Sequence, residues 1–177
     1  MMKNGSKTEK VTIYLASPFF SDTQVDRVKR VEKALEFNPF VENFFSPRQN
    51  QLDEFVFGSK EWRQAVFAQD IKYLENADVV VAVADMDTTI DYHYFDEKKS
   101  ELLQGTKNEL VDTDSGTAFE IGYAYARGIP IVVVHETDKP INLMVSDSLH
   151  AYFKNTLELT TYNFMEMPES SYDGEVI

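Results

Sequence analysis

The chain contains no cysteine, which excludes disulfide cross-links and thiolate-bound metal sites. It has no apolar run long enough to cross a bilayer. Its three histidines, His93, His135 and His150, show no metal-ligand spacing. No glycine-rich loop of the phosphate-cradling type is present. Cations are scarce: 17 Lys and Arg stand against 30 Asp and Glu, a formal net charge of -13. A field of that sign repels phosphate backbones, so no nucleic-acid partner is expected, and a highly charged nucleotide substrate is disfavoured. The plainest consequence of the charge is solubility. The opening MMKNGSKTEK is polar and lacks the apolar core of a signal peptide; residues 1–10 read as a flexible tail. Together these absences predict a cytoplasmic protein with no membrane partner.

What is present is ample apolar material. Of 177 residues, 43% are hydrophobic and 13% aromatic, enough for one domain with a sizeable core. VTIYLASPFF (11–20) begins as a β-branched run and breaks at Ser17-Pro18, a first strand and its loop. Ser21 or Asp22 can cap a helix whose Val25, Val28, Val31 and Leu35 share a face, with Asn38-Pro39 ending it. FVENFFSP (40–47) reads as a second strand, followed by a polar, aromatic-rich loop. Residues 61–77 have helical spacing in Trp62, Val66, Ile71 and Leu74. DVVVAVADMD (78–87) and IPIVVVHE (129–136) are continuous apolar runs, as expected of strands covered on both faces. Between them, residues 88–111 read as a long loop or lid, and the 112–128 stretch as loop then helix; after 136 comes a tail. Strands alternating with helices define an α/β class: a single flavodoxin- or Rossmann-like domain over residues 11–177, with a mainly parallel sheet flanked by helices.

Sites in such sheets lie at the carboxyl ends of the strands. Four polar clusters fall there: Tyr14 to Asp22, Gln49 to Gln51, Asp85 to Asp87 and Asp114 to Glu120. In DSGTAFEIGYAYARG (114–128), Asp114 or Ser115 can cap the helix and Gly128 can stop it. Phe119, Tyr123 and Ala126 are read as its apolar face. Glu120 sits about one turn in, and its neighbours at three and four residues are Gly116, Thr117, Tyr123 and Ala124. No local cation explains it. A solvated helix glutamate is the ordinary alternative. A carboxylate with room beside it can instead attack an anomeric carbon and form a glycosyl ester. A second acid would then move the leaving group's proton, and Asp70, Asp85, Asp87 and Asp114 are candidates by position. A tyrosine hydroxyl such as that of Tyr14 could orient the nucleophile.

Five segments in order resemble the nucleoside 2-deoxyribosyltransferases: IYLASPFFSDTQ (13–24), WRQAVFAQD (62–70), DSGTAFEIGYA (114–124), PINLM (140–144) and YNF (162–164). The resemblance covers nearly the whole chain from residue 11. The SPFFSD and DSGTAFEIG forms are similar to the purine-preferring branch. It implies transfer of a 2-deoxyribosyl group between a deoxynucleoside and a free base, with retention, through a covalent deoxyribosyl-enzyme and without cofactor or metal. Residue by residue, it implies Glu120 as nucleophile, Tyr14 orienting it, and Asp114 holding the sugar hydroxyls. Asp70 and Gln51 would face the nucleobase. Asn142 and Met144 would reach a neighbouring subunit's site, so a homo-oligomer, a homohexamer of paired subunits, is implied. Phe19, Phe20 and Trp62 are candidates to line the base pocket.

Each residue also has a plainer reading. Tyr14 can cap the core, Asp114 can be only a helix cap, Asp70 a solvated acid, and Asn142 a turn former. Two departures from the family pattern stand out. The chain ends in YDGEVI, with Ile177 where an aromatic residue is expected and Tyr172 as a possible replacement. The 88–111 segment is long. Three alternative functions remain open on sequence: an N-glycoside hydrolase of the same fold, a non-catalytic nucleoside-binding module, and a flavodoxin-like signalling domain. The last would need acids at the end of the first strand, where Ala16-Ser17-Pro18 stands.

Overall fold

The computed structural model describes residues 10–84, 88–96, 101–109 and 113–177. Its main sheet has five strands: β1 (Val11–Ala16), β2 (Val41–Phe45), β3 (Val79–Val83), β6 (Ile131–Val134) and β7 (Ala151–Phe153). The order is β2-β1-β3-β6-β7, and every pairing is parallel. The runs VTIYLA, VVVAV and IVVV form its centre because β-branched residues suit a strand buried on both faces.

Strand alternation sorts the core into two layers. Ile13, Leu15, Val79, Val81, Val83, Val132 and Val134 pack with Val28, Val31 and Leu35 of α1 (Asp22–Phe37). Tyr14, Ala16, Val80, Ala82, Ile131 and Val133 face the other side. There they meet Leu74 of α2 (Lys60–Glu75) and Ile121 and Ala124 of α3 (Ser115–Arg127). The period of two therefore aims Tyr14 at the layer that holds α3. The chain passes from β1 to β2 on one side and then to β3 on the other side of β1. That reversal opens a crevice at the carboxyl edge of the sheet.

Two expectations are corrected. Within the segment 88–111, expected as a long loop or lid, the described residues are strands: β4 (Thr88–Asp96) pairs antiparallel with β5 (Glu101–Glu109) as a separate two-stranded ribbon. Ile90, Tyr92 and Tyr94 recur at a period of two in TTIDYHYFD, but ELLQGTKNE, with Gly105 opposite Tyr92, carries little strand propensity and hid the partner. The stretch after 136 is not a tail. It adds α4 (Leu143–Ser146), the edge strand β7 and a 3₁₀ helix (Thr156–Thr160). Three-residue AYF is too short to show a period. The expected polar tail and the acids Asp85 and Asp87 lie outside the described residues.

Asn38, the C-cap of α1, locks this terminal region to the sheet. Its buried amide nitrogen donates to Leu159 O at 2.5 Å and Tyr162 O at 2.9 Å, and its oxygen accepts from Phe40 N at 2.8 Å. Asn38→Ala strands three backbone groups and is expected to cost about 2–4 kcal/mol in denaturant unfolding. A loss below about 0.5 kcal/mol would show that water replaces the amide at no penalty.

Candidate active site

The helix carrying Glu120 starts and stops where its sequence directs. Asp114 is the N-cap, its Oδ2 accepting from Thr117 N at 2.9 Å and from Thr117 Oγ1 at 3.3 Å. Gly128 closes the helix in the left-handed conformation at φ 72°. A Cβ at Gly116 would lie 3.0 Å from the capping carboxylate, so the smallest residue stands beside the cap. The buried face is not the expected one. Thr117, Ile121 and Ala124 face the sheet, while Phe119 and Ala126 are exposed. Tyr123 is half-buried and donates its hydroxyl to Glu75 at 2.6 Å. This helix is apolar nearly all round, and the smaller residues permit the closer approach to the strands.

Turning that face inward swings Glu120 toward β1. Tyr14, itself fully buried, donates its hydroxyl to Glu120 Oε1 at 2.5 Å. The Glu120 carboxyl stands at about 8: burial is the largest cause, the Tyr14 hydrogen bond opposes it, and the nearby Asp70 and Asp114 carboxylates add to the rise. Burial likewise pushes Asp70 up to about 6. Tyr14 is raised by burial first and then by Glu120 and Asp70, so its hydroxyl keeps its proton.

Tyr14 stands behind Glu120, which walls a cavity of about 440 Å³. Glu120, Asp114, Asp70, Gln51 and Phe19 all line it, as do Phe20 and Trp62. Two polar atoms of residues on its wall, Asp70 Oδ1 and Ser17 Oγ, are buried with no hydrogen-bond partner among the described residues. Phe57 packs on Trp62 with ring centroids 4.6 Å apart.

The structure does not bring every candidate here. Asn142 and Met144 line a second cavity of about 420 Å³ with Ile121, Gly122 and Tyr125. Tyr172 stacks edge-on against Tyr152 at 4.8 Å and donates to Glu175 O at 2.8 Å, so it does not fill the Glu120 cavity. Ile177 pairs with Ile141 and Leu143 through backbone hydrogen bonds of 3.1 and 3.0 Å. Sequence reading missed Phe57 and Gln69 as cavity residues. The spacing Trp62, Val66, Gln69 and Asp70 on α2 carried the signal for Gln69. Only the far end of that stripe, Leu74, reaches the core.

A parallel sheet whose carboxyl edge opens on a carboxylate-walled cavity is the arrangement of a small-molecule α/β enzyme. The sequence model described as nucleoside 2-deoxyribosyltransferase matches residues 13–152. A nucleoside deoxyribosyltransferase of Limosilactobacillus fermentum is 30% identical over 146 residues, covering 78% of this chain and 73% of that protein. One from Lactobacillus leichmannii is 27% identical, covering 94% and 98%. The solved 2-deoxyribosyltransferase of the psychrotolerant bacterium Bacillus psychrosaccharolyticus is 35% identical with a TM-score of 0.69, over 91% of this chain and 98% of that one. The chain belongs to the nucleoside 2-deoxyribosyltransferase family. It is an enzyme of the pentosyl-transferring class.

Proposed function

We propose that this enzyme moves a 2-deoxyribosyl group from a deoxynucleoside to a free nucleobase with retention, through an ester on Glu120. The observation that carries the reading is the Tyr14–Glu120 hydrogen bond at 2.5 Å, which fixes Glu120 on the wall of a cavity that Asp70 also lines. Tyr14 occupies Oε1 and leaves Oε2 to attack the anomeric carbon. The carbon–nitrogen bond breaks, and the base leaves with the electron pair and takes a proton from Asp70. The incoming base then attacks the same carbon, the ester bond breaks, and Asp70 recovers the proton. Two inversions give retention, and the cycle balances without a cofactor. Asp114 beside Gly116 holds the sugar hydroxyls, while Gln51, Phe19 and Trp62 face the base.

Among the described residues no Lys or Arg lines this cavity, and the α3 N-terminus is already occupied by Asp114. Both features support an unphosphorylated nucleoside as the substrate rather than a nucleotide. The purine preference rests on the form of the SPFFSD and DSGTAFEIG motifs. A homo-oligomer with shared sites is supported by apolar residues left exposed on the surface, Phe67, Phe119, Tyr125, Leu143 and Met144; its count as a homohexamer rests on the family resemblance alone. The β4–β5 ribbon arises between Ala84 and Thr113, which suits a lid over the cavity or a subunit contact. A cytoplasmic location accords with small-molecule salvage chemistry, and among the described residues no helix is long and apolar enough to cross a membrane.

Chromatography of deoxyinosine with and without adenine tests the reaction. Deoxyadenosine and hypoxanthine appearing together support transfer. Hypoxanthine and free deoxyribose at equal rates in both tubes would make the protein a hydrolase. Binding with no turnover of any deoxynucleoside would make it a binding module.

A further inference from the structure

Outside the cavity, the loop that forms one of its walls is anchored by a buried charge. Glu32 of α1 is 3% exposed, on the layer away from Glu120. Its Oε1 accepts from Ser46 Oγ at 2.7 Å and from Arg48 Nε at 3.0 Å, and its Oε2 pairs with the terminal nitrogen of Arg48. Ser46 and Arg48 open the turn 46–51 that follows β2. The same turn puts Pro47, Asn50 and Gln51 on the cavity wall. Inside it, Gln49 N bonds to Ser46 O at 3.0 Å, Asn50 Nδ2 to Ser46 O at 2.8 Å, and Gln51 Nε2 to Pro47 O at 2.5 Å. From the opposite side Gln69 Nε2 of α2 donates to Asn50 O at 2.8 Å.

The turn thus hangs between two helices. The Glu32 side is two-pronged and charge-assisted, whereas the α2 side is a single neutral hydrogen bond. Arg48 presents a planar fork that a lysine cannot reproduce. A buried glutamate is costly unless its lone pairs are filled, and here each oxygen is. Neither Glu32 nor Arg48 lines the cavity.

We propose that Glu32 and Arg48 are positioning residues. They fix the base-facing wall 47–51 and so decide how efficiently the deoxyribosyl-enzyme is captured by a nucleobase rather than by water. This rests on the transfer reading above. The covalent ester forms at Glu120, remote in the fold from the clamp, but capture requires the acceptor base to be held in line with the anomeric carbon. Water needs no such wall. Loosening the turn raises the acceptor KM and diverts the intermediate to free deoxyribose, while turnover at saturating base changes little.

The test compares wild type, Arg48→Lys, Arg48→Gln and the double variant Glu32→Gln/Arg48→Gln, which leaves no buried charge unpaired. Deoxyinosine is the donor and adenine is titrated. Arg48→Gln and the double variant are expected to raise the adenine KM about tenfold, with kcat within about threefold of wild type. Free deoxyribose at low adenine rises in parallel, and high adenine restores transfer. Arg48→Lys recovers part of the KM. An adenine KM and a transfer-to-hydrolysis ratio within about twofold of wild type in the double variant would overturn the proposal. So would a fall in kcat and melting temperature with KM unchanged, which would make the pair purely structural. A wild-type enzyme that exchanges no base at all would overturn the transfer reading itself, and the clamp's role with it.

Discussion

Glu120→Ala should abolish base exchange, by about 10⁴-fold or more, in a protein that remains folded. Near-normal transfer in this variant would refute the nucleophile assignment. Glu120→Gln should be almost as inactive, because an amide does not attack an anomeric carbon, and it yields a second, independent readout. Burial pushes the Glu120 carboxyl from its ordinary 4.5 up to about 8. The folded protein therefore prefers the neutral form. Below the unfolded value both states are protonated and the fold bears no penalty. As pH rises toward 8 the unfolded chain ionises freely and the folded chain does not, so stability is progressively lost, on the order of 3–5 kcal/mol in full. Glutamine mimics the protonated acid at all pH values. Urea unfolding should thus show Glu120→Gln equal to wild type near pH 4 and more stable near pH 9. An inactive variant with that alkaline gain would show that the enzyme holds its nucleophile at the expense of its own stability. Equal stabilities at pH 9 would mean that the carboxylate is solvated and that its chemistry needs another explanation.

The fold was legible in sequence because its central strands are long for their burial. VTIYLA, VVVAV and IVVV announce a covered parallel sheet, and Ser21, Asp114 and Gly128 mark helix ends. The convergence of Tyr14 and Glu120 was legible for a related reason: a strand's period of two fixes which layer Tyr14 enters, and the site's place at the carboxyl edge follows from topology. What failed did so where the local pattern is ambiguous. On α3 apolar residues lie on nearly every side, so periodicity alone could not choose between the Phe119 face and the Ile121 face; packing distance to the sheet decided. On α2 one stripe serves two purposes, Trp62 and Val66 walling the cavity and Leu74 filling the core. The resemblance implies that Asn142 and Met144 reach a neighbouring subunit's site; within one chain they line the second cavity, and no local periodicity bears on a contact between subunits. The Glu32–Arg48 pair also left no trace in sequence, since sixteen residues and a strand separate groups that meet only in the folded chain.

Tyr14→Phe should lower transfer at neutral pH by about 10- to 100-fold, the usual consequence of removing a hydrogen bond to a charged group. Its pH dependence distinguishes the proposed mechanism from a simpler one. The reactive form needs Glu120 ionised and Asp70 protonated, yet burial holds the first up to about 8 and the second up to about 6. The required arrangement is then the minority one at every pH. The rate rises up to about 6 and stays level to about 8, because each tenfold gain in ionised Glu120 is offset by a tenfold loss of protonated Asp70. It falls beyond. Counter to intuition, the alkaline limb follows the nucleophile and the acid limb follows the proton donor, and the two carboxyls titrate as a coupled pair. The Tyr14 hydrogen bond lowers the Glu120 value, so its removal raises that value. Tyr14→Phe should therefore depress the plateau and carry the alkaline limb to higher pH, leaving the acid limb in place. Asp70→Asn, which has no proton to lose, should abolish the alkaline limb altogether. Were Asp70 no proton donor, the wild-type rate would instead climb through pH 8 to a maximum, and Tyr14→Phe would only shift that climb upward. A rate–pH profile of the three proteins separates these cases, since a plateau that drops while its alkaline limb advances is produced only when both carboxyls act in opposite protonation states.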